Sequence, residues 1–185
     1  GNFTDSGQNL GSSNSWGVAL ADLDGDGHAD IVHGTNTGGD RSHPGVTWLT
    51  RGKATTGPWM VRDISGTQGV KFDLLATIDL DGDGYLDVLS AYGNKIAWYE
   101  NNGGEDPTFT HTEDHDIATN ALGAVSVHAA DLDGDGDLDV LSASYADNKI
   151  AWYENKGGAG TVWTTHVITA DASGAASVYA ADLDG

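Results

Sequence analysis

The sequence predicts an all-β protein built from repeated four-stranded antiparallel units of about 50 residues. The first observation is an acidic nine-residue segment that occurs three times and begins a fourth time, starting at Asp22, Asp79, Asp131 and Asp182. Consecutive starts are 57, 52 and 51 residues apart. The second observation is that runs rich in Val, Ile, Trp and Tyr alternate with clusters of Gly, Asn and Asp, which is typical of strands joined by tight turns. Since no segment carries an apolar stripe of helical period, we expect almost no helix.

Each unit divides into four short strands, and the third unit illustrates the division. We expect its strands at about 125–131, 138–145, 149–155 and 162–169. The acidic segment joins the first two strands, and the turn at 146–148 follows the second. The last two strands are joined by a glycine-rich link.

The third strand is apolar on both faces, which requires layers above and below it. Residues 94–101 read Asn-Lys-Ile-Ala-Trp-Tyr-Glu-Asn, and residues 148–155 repeat that sequence without change. Four-stranded units that cover one another in this way are the blades of a β-propeller, and about three and a half blades fit this chain. We divide it into the tail of a preceding blade or connector, three blades, and the first strand and partial acidic loop of a fourth: 1–15, 16–70, 71–122, 123–174 and 175–185.

The acidic segments have the composition of calcium-binding loops. Each complete one has aspartates at positions 1, 3, 5 and 9 and glycines at positions 4 and 6. Calcium takes about six to eight oxygen ligands, whereas clustered carboxylates without a cation repel one another. We therefore predict three complete calcium sites and a partial fourth. The carboxylate ligands that we expect are Asp22, Asp24, Asp26, Asp30, Asp79, Asp81, Asp83, Asp87, Asp131, Asp133, Asp135, Asp139, Asp182 and Asp184.

An EF-hand, a magnesium site and a simple polar turn each agree less well with these loops than a calcium site does. An EF-hand requires a glutamate at position 12 of its loop, where this chain has His33, Ser90 and Ser142. Magnesium dehydrates reluctantly and rarely occupies a cage made of protein ligands alone. Simple polar turns would leave four like charges close together without compensation.

The acidic loop, followed by an apolar strand and the Asn-Lys-Ile-Ala-Trp-Tyr-Glu-Asn strand, resembles the FG-GAP/VCBS repeat family, best known from integrin α-subunit propellers. The resemblance extends from about residue 16 to residue 185. It implies calcium in the loop between the first two strands of a blade, with the backbone carbonyl of position 7 as a further ligand. Here that carbonyl belongs to His28, Tyr85 and Asp137. Because three blades do not close a ring, we expect missing sequence or a second molecule to complete the structure.

Composition excludes several classes of function. The net charge is −20, and 15 of the 28 acidic residues lie in the four acidic segments. The eight Lys and Arg form no patch, which disfavours nucleic acid and anionic membranes as partners, and we expect no membrane insertion. The chain has no cysteine, and metal could replace disulfides in an extracellular protein. Met60 is the only methionine, so we expect a processed or excised chain, and Asn2 begins a formal N-glycosylation sequon.

The aromatic and histidine residues indicate no catalytic site. Trp48, Trp98 and Trp152 recur at equivalent positions, which favours packing between blades over a stacking platform for sugars. His111 and His115 have the spacing of a zinc pair but lack the helix and the adjacent glutamate of that motif, so we expect a solvated loop. No nucleophile elbow or phosphate loop is present, and we predict that the chain is not an enzyme.

The sequence leaves three functions open. The first is a non-catalytic extracellular calcium-binding module for adhesion or for binding a protein or a glycan. The second is self-assembly through incomplete terminal blades, as a dimeric ring or as a filament, because unpaired strand edges pair readily with other chains. The third is the accessory propeller of a secreted enzyme.

Overall fold

The computed structural model describes residues 15–35, 45–53, 57–65 and 72–183, and side chains within these ranges except those of residues 15, 16, 35, 72 and 73. These residues form three consecutive antiparallel sheets. Asn2 and Asp184 lie outside the described residues.

Each sheet contains four strand positions in chain order. The first sheet consists of β1 (Ser15–Ala21), β2 (Asp30–Thr35), β3 (Val46–Thr50) and β4 (Met60–Asp63). The second consists of β5 (Phe72–Ile78), β6 (Asp87–Tyr92), β7 (Lys95–Asn101) and a divided fourth strand, β8 (Phe109–Thr110) and β9 (Asp116–Ala118). The third consists of β10 (Ala124–Ala130), β11 (Asp139–Ser144), β12 (Lys149–Asn155) and β13 (Trp163–Thr169). The all-β class and the four-stranded antiparallel units are confirmed, while their arrangement as propeller blades and the number of blades stay predictions.

The fourth strand of the second sheet is interrupted by a 3-10 turn, Glu113–His115, the one helical segment among the described residues. This turn places the His115 ring 4.5 Å from the indole of Trp98, measured between centroids, and leaves His115 only 5% exposed. His111 lies 5.0 Å from the ring of Tyr99. The prediction of a solvated loop is therefore wrong for the two histidines, because the aromatic side chains of β7 offer apolar surface that both imidazoles cover, while residues 112–114 are exposed.

The sheets pack face to face and enclose two apolar clusters, one between the first and second sheets and one between the second and third. Trp48 lies in the first cluster and Trp98 in the second, and each is 1% exposed, which confirms both as core residues. Trp152 occupies the equivalent position in the third sheet but is only half-buried, stacked on His166 at 4.3 Å. Each indole is thus buried only where a following sheet covers it.

The first strands show the same dependence on a neighbouring sheet. Leu75 and Val127 lie four residues before their acidic loops and are 5% and 7% exposed, each packed against the preceding sheet. Val18 has the same position in the first sheet and is 66% exposed. At the other end, residues 175–182 run beside β10, where Val178 N donates to Ser126 Oγ at 3.2 Å.

Candidate metal centres

Each complete acidic segment connects the first two strands of its sheet, as the sequence predicts. We call residues 22–30 the first loop, 79–87 the second loop and 131–139 the third loop. The antiparallel register pairs the residue before position 1 with the residue at position 9 in all three sheets. The two ends of each loop are therefore adjacent, which carries the last aspartate back towards the first two.

The carboxylates of positions 1, 3 and 9 come together in every loop. Within each of the three triads, one oxygen from each residue lies within 4.8 Å of the others. The triads are Asp22, Asp24 and Asp30; Asp79, Asp81 and Asp87; and Asp131, Asp133 and Asp139. The same arrangement three times makes each triad a candidate cation site.

The position-9 aspartates are the buried anchors of the triads. Asp30, Asp87 and Asp139 are 2%, 0% and 1% exposed. In each loop one of their oxygens accepts a hydrogen bond from the backbone N–H of the leucine at position 2, at 2.9–3.2 Å. The other oxygen of Asp87 and Asp139 accepts from the backbone N–H of an asparagine at the end of the third strand, at 2.8 and 2.9 Å. These bonds hold the carboxylate in one orientation.

Those asparagines, Asn101 and Asn155, were not among the residues predicted for the site. Both end the Asn-Lys-Ile-Ala-Trp-Tyr-Glu-Asn segment, so its exact repetition was the available signal. In the first sheet Thr50 takes part instead, with its hydroxyl donating to Asp24 Oδ2 at 3.2 Å.

The glycines permit the tight turn in the middle of each loop. Those at positions 4 and 6 all have positive φ, between 67° and 98°, which other residues adopt with strain. With the chain turned in this way, the backbone N–H of position 6 donates to the aspartate at position 1, at 2.8–3.1 Å. The loop thus orients its first ligand before any cation binds.

The aspartates at position 5 play a different part in the structure. Asp26, Asp83 and Asp135 lie outside the triads, and each accepts a hydrogen bond from the backbone N–H of position 7 at 2.8–2.9 Å. Their role as ligands, and that of the carbonyls of position 7, stay predictions. In the incomplete fourth segment, Asp182 lines a surface cavity with Asp131.

Burial makes the anchors hard to ionise without a cation. Desolvation raises the pKa of Asp30 to about 6 and that of Asp87 to about 7, and it raises the pKa of Asp139 above its ordinary value. Their hydrogen bonds lower these pKa values and neighbouring aspartates raise them, both less strongly than burial. Desolvation likewise raises the pKa of Asp24 and Asp81. A cation favours the ionised carboxylates, so its binding releases protons.

The donor set fits a hard divalent cation. Asp26 Oδ2 and Asp79 Oδ1 are buried and accept no hydrogen bond within the described part of the chain. An unpaired buried carboxylate oxygen costs free energy unless a cation satisfies it. The triads offer only carboxylate oxygens, which suit calcium and magnesium, and calcium tolerates irregular coordination by protein groups better than magnesium does. The three triad aspartates of each loop would hold the ion, which would supply the positive charge that the loop lacks.

Comparisons with known proteins agree with this architecture. A model of the FG-GAP-like repeat matches residues 79–142 and 131–185, which together cover more than half of the chain. A solved structure of an Agrocybe aegerita lectin, described as recognising non-reducing terminal N-acetylglucosamine, is similar to this chain with a TM-score of 0.54 and 22% identity. The similarity covers 84% of this chain and 38% of the lectin chain, and at this identity it concerns the fold alone. A comparison with curated protein sequences finds no match. The chain belongs to the FG-GAP-like repeat family.

Proposed function

We propose that the chain is a calcium-binding, non-catalytic part of an extracellular β-propeller that binds a glycan. Calcium is supported by the three triads and by the acidic loops of the repeat. The propeller arrangement is supported by the first strands of consecutive sheets, since β5 lies beside both β1 and β10. Among the described residues no helix has the length and apolar character needed to cross a bilayer.

The observation that carries the glycan proposal is a cavity of about 330 Å³ between the first and second sheets. Its walls combine apolar rings with charged groups: Trp48, Arg62, Asp63, Asp106, Pro107, Thr108 and Phe109. Ligand pockets begin at about 300 Å³, so the cavity has room for one sugar residue. Arg62 Nη2 and Asp106 Oδ1 form an ion pair at 2.9 Å that joins the two sheets. The two side chains offer hydrogen-bond donors and acceptors to the vicinal hydroxyls of a sugar. One arginine beside two aspartates favours a neutral sugar over an acidic one.

Between the second and third sheets, the position equivalent to this cavity is filled. Counting from the asparagines that end the third strands, Gly160 corresponds to Asp106. The carbonyl of Gly160 accepts a hydrogen bond from Trp98 Nε1 at 2.9 Å, and an added Cβ there would lie 2.6 Å from the indole. The first interface therefore has an opening where the second is closed, which favours a ligand site at the first interface.

Replacing Arg62 with alanine is expected to weaken binding of a neutral glycan at least about tenfold, because truncating a central polar anchor costs over about 1.4 kcal/mol. His166→Ala is the matched control, since Arg62 and His166 lie opposite Trp48 and Trp152 in the same register. A glycan array with the calcium-loaded chain identifies the sugar, and calorimetry compares the variants. No binding to any glycan, or equal affinities for Arg62→Ala and the unaltered chain, would contradict the proposal.

Self-association is a second candidate, favoured by the exposed apolar face of β1. Val18 and Leu20 are 66% and 68% exposed, although Leu75 at the position of Val18 is buried by a neighbouring sheet. We expect a second copy of the chain to cover this face in solution. Light scattering should then give a particle mass that rises with concentration, and Val18→Asp should return it to that of a monomer. A mass of one chain at all concentrations would exclude this candidate.

A further inference from the structure

Asn101 contacts the metal loops of two different sheets. It is the last residue of β7 and is completely buried. Its backbone N–H donates to Asp87 Oδ1 in the second loop at 2.8 Å. Its side-chain Nδ2 donates to the carbonyl of Leu23 in the first loop at 3.0 Å, across the interface between the sheets. One buried residue thus joins the two loops directly.

The remaining hydrogen-bonding groups of the Asn101 side chain are also satisfied. Nδ2 donates a second bond to the carbonyl of Leu86 at 3.0 Å, and Oδ1 accepts one from the backbone N–H of Gly103 at 2.9 Å. A buried amide with its donors and acceptor paired has one favourable orientation, because any rotation leaves a buried polar group unpaired. Displacement of its backbone is therefore transmitted to its side-chain partners.

Both contacts of Asn101, to Asp87 and to Leu23, are made at the triads of the first and second loops. Asp87 is the buried anchor of the second triad. Leu23 stands between Asp22 and Asp24 of the first triad, and its own N–H donates to the anchor Asp30 at 3.2 Å. A cation bound to Asp87 further restrains the backbone of Asn101, and the amide then holds Leu23 and the two ligands beside it. The first loop would bind its cation with part of the ordering entropy already lost.

The third loop lacks this connection to the second. Asn155 repeats the backbone bond to Asp139 at 2.9 Å and accepts one from Gly160 N at 3.0 Å. Its Nδ2 donates to Leu138 of its own loop at 3.2 Å, and within the described ranges it has no hydrogen bond to the second loop. Within the described residues, an asparagine thus joins the first and second loops by hydrogen bonds, whereas Asn155 does not join the second and third loops in this way.

We propose that Asn101 couples the first and second metal loops, so that calcium bound at one raises the affinity of the other, while the third loop binds independently. The inference rests on the calcium binding proposed above. Coupling between sites is reciprocal, and values of about fivefold and more are typical. We expect about a fivefold effect here because a single hydrogen bond, from Asn101 to Leu23, joins the second sheet to the first loop.

Calorimetric titration with calcium tests the coupling. Asp24→Asn, Asp81→Asn and Asp133→Asn disable the first, second and third loops respectively. With the third loop disabled, calcium affinity at the first loop should be about fivefold higher when the second loop is intact than when it carries Asp81→Asn. With the first loop disabled, the affinity of the third loop should be the same with and without Asp81→Asn.

Asn101→Ala should abolish the dependence of the first loop on the second, and Asn155→Ala is the matched control that should leave it unchanged. If Asn101→Ala does not fold, the first-loop affinities measured with and without Asp81→Asn in the chain that retains Asn101 still decide whether the loops are coupled. Equal affinities of the first loop with and without the second would overturn the coupling while leaving calcium binding in place. Absence of calcium binding in the unaltered chain would overturn both proposals. The glycan measurement on Arg62→Ala is independent of whether the two loops are coupled.

Discussion

Chelation of calcium is expected to lower the melting temperature of this chain by roughly 10–25 °C. At about 1 mM calcium, a site with a Kd of about 30 µM stabilises the folded state by ~2 kcal/mol. Three such sites then contribute ~6 kcal/mol, and each kcal/mol corresponds to about 2–4 °C for a chain of this size. Circular dichroism during heating, with calcium and with chelator, measures the shift.

Magnesium and a loop variant serve as controls for this experiment. Magnesium at the same concentration should restore little of the lost stability because it rarely accepts an all-protein cage. Asp87→Asn should abolish more than one third of the calcium effect, since it removes the anchor of one triad of three and also lowers the affinity of the coupled first loop. A melting temperature that does not respond to chelation would show that the loops are not structural metal sites.

The calcium effect should also shrink as the pH falls. In the metal-free fold the pKa of Asp30 is raised to about 6 and that of Asp87 to about 7, so these groups destabilise that fold once they ionise. The contribution of these two carboxyl groups to the stability of the metal-free protein is present at low pH. It is lost as the pH rises through their raised pKa values. Calcium requires the ionised forms. The difference between the two melting temperatures should therefore be larger at about pH 8 than at about pH 5.

Trp98→Ala is expected to lower the free energy of unfolding by about 3–5 kcal/mol. The indole is 1% exposed in the cluster between the second and third sheets, and its truncation leaves a cavity there. The variant also removes the hydrogen bond from Trp98 Nε1 to the Gly160 carbonyl. That carbonyl keeps a second bond from Trp163 Nε1 at 2.9 Å, so most of the cost is lost packing. Urea denaturation in saturating calcium measures it.

Trp152→Ala is the matched control because Trp152 has the same position in an identical strand sequence. It is half-buried against His166, so we expect a loss of about 1 kcal/mol. The loss of unfolding free energy for Trp98→Phe should fall between the losses for these two variants, because phenylalanine keeps an aromatic ring in the core. Equal losses for Trp98→Ala and Trp152→Ala would mean that the second and third sheets do not pack in solution as described.

Much of the fold was predictable because its repeats place the same local chemistry at regular intervals. The strands predicted at 125–131, 138–145, 149–155 and 162–169 agree with β10 to β13 to within one residue at each end. Alternation of β-formers with Gly, Asn and Asp is a local signal that needs no knowledge of distant contacts. The interruption of the fourth strand by Glu113–His115 was not predictable, because the position of His115 depends on its contact with Trp98 of another strand.

The sequence by itself determined the all-β repeat and the three acidic loops, because strand periodicity, turn glycines and the spacing of Asp22, Asp24 and Asp30 are local properties of the chain. Only the tertiary structure decided which aspartates form the triads, because their distances depend on the register of two strands. It also decided that Asn101 connects two loops and that a cavity opens at one interface. The tertiary structure likewise decided that Trp48 and Trp98 are buried while Trp152 is half-buried. Those features depend on how neighbouring sheets pack, and identical segments acquire different surroundings where the neighbour differs.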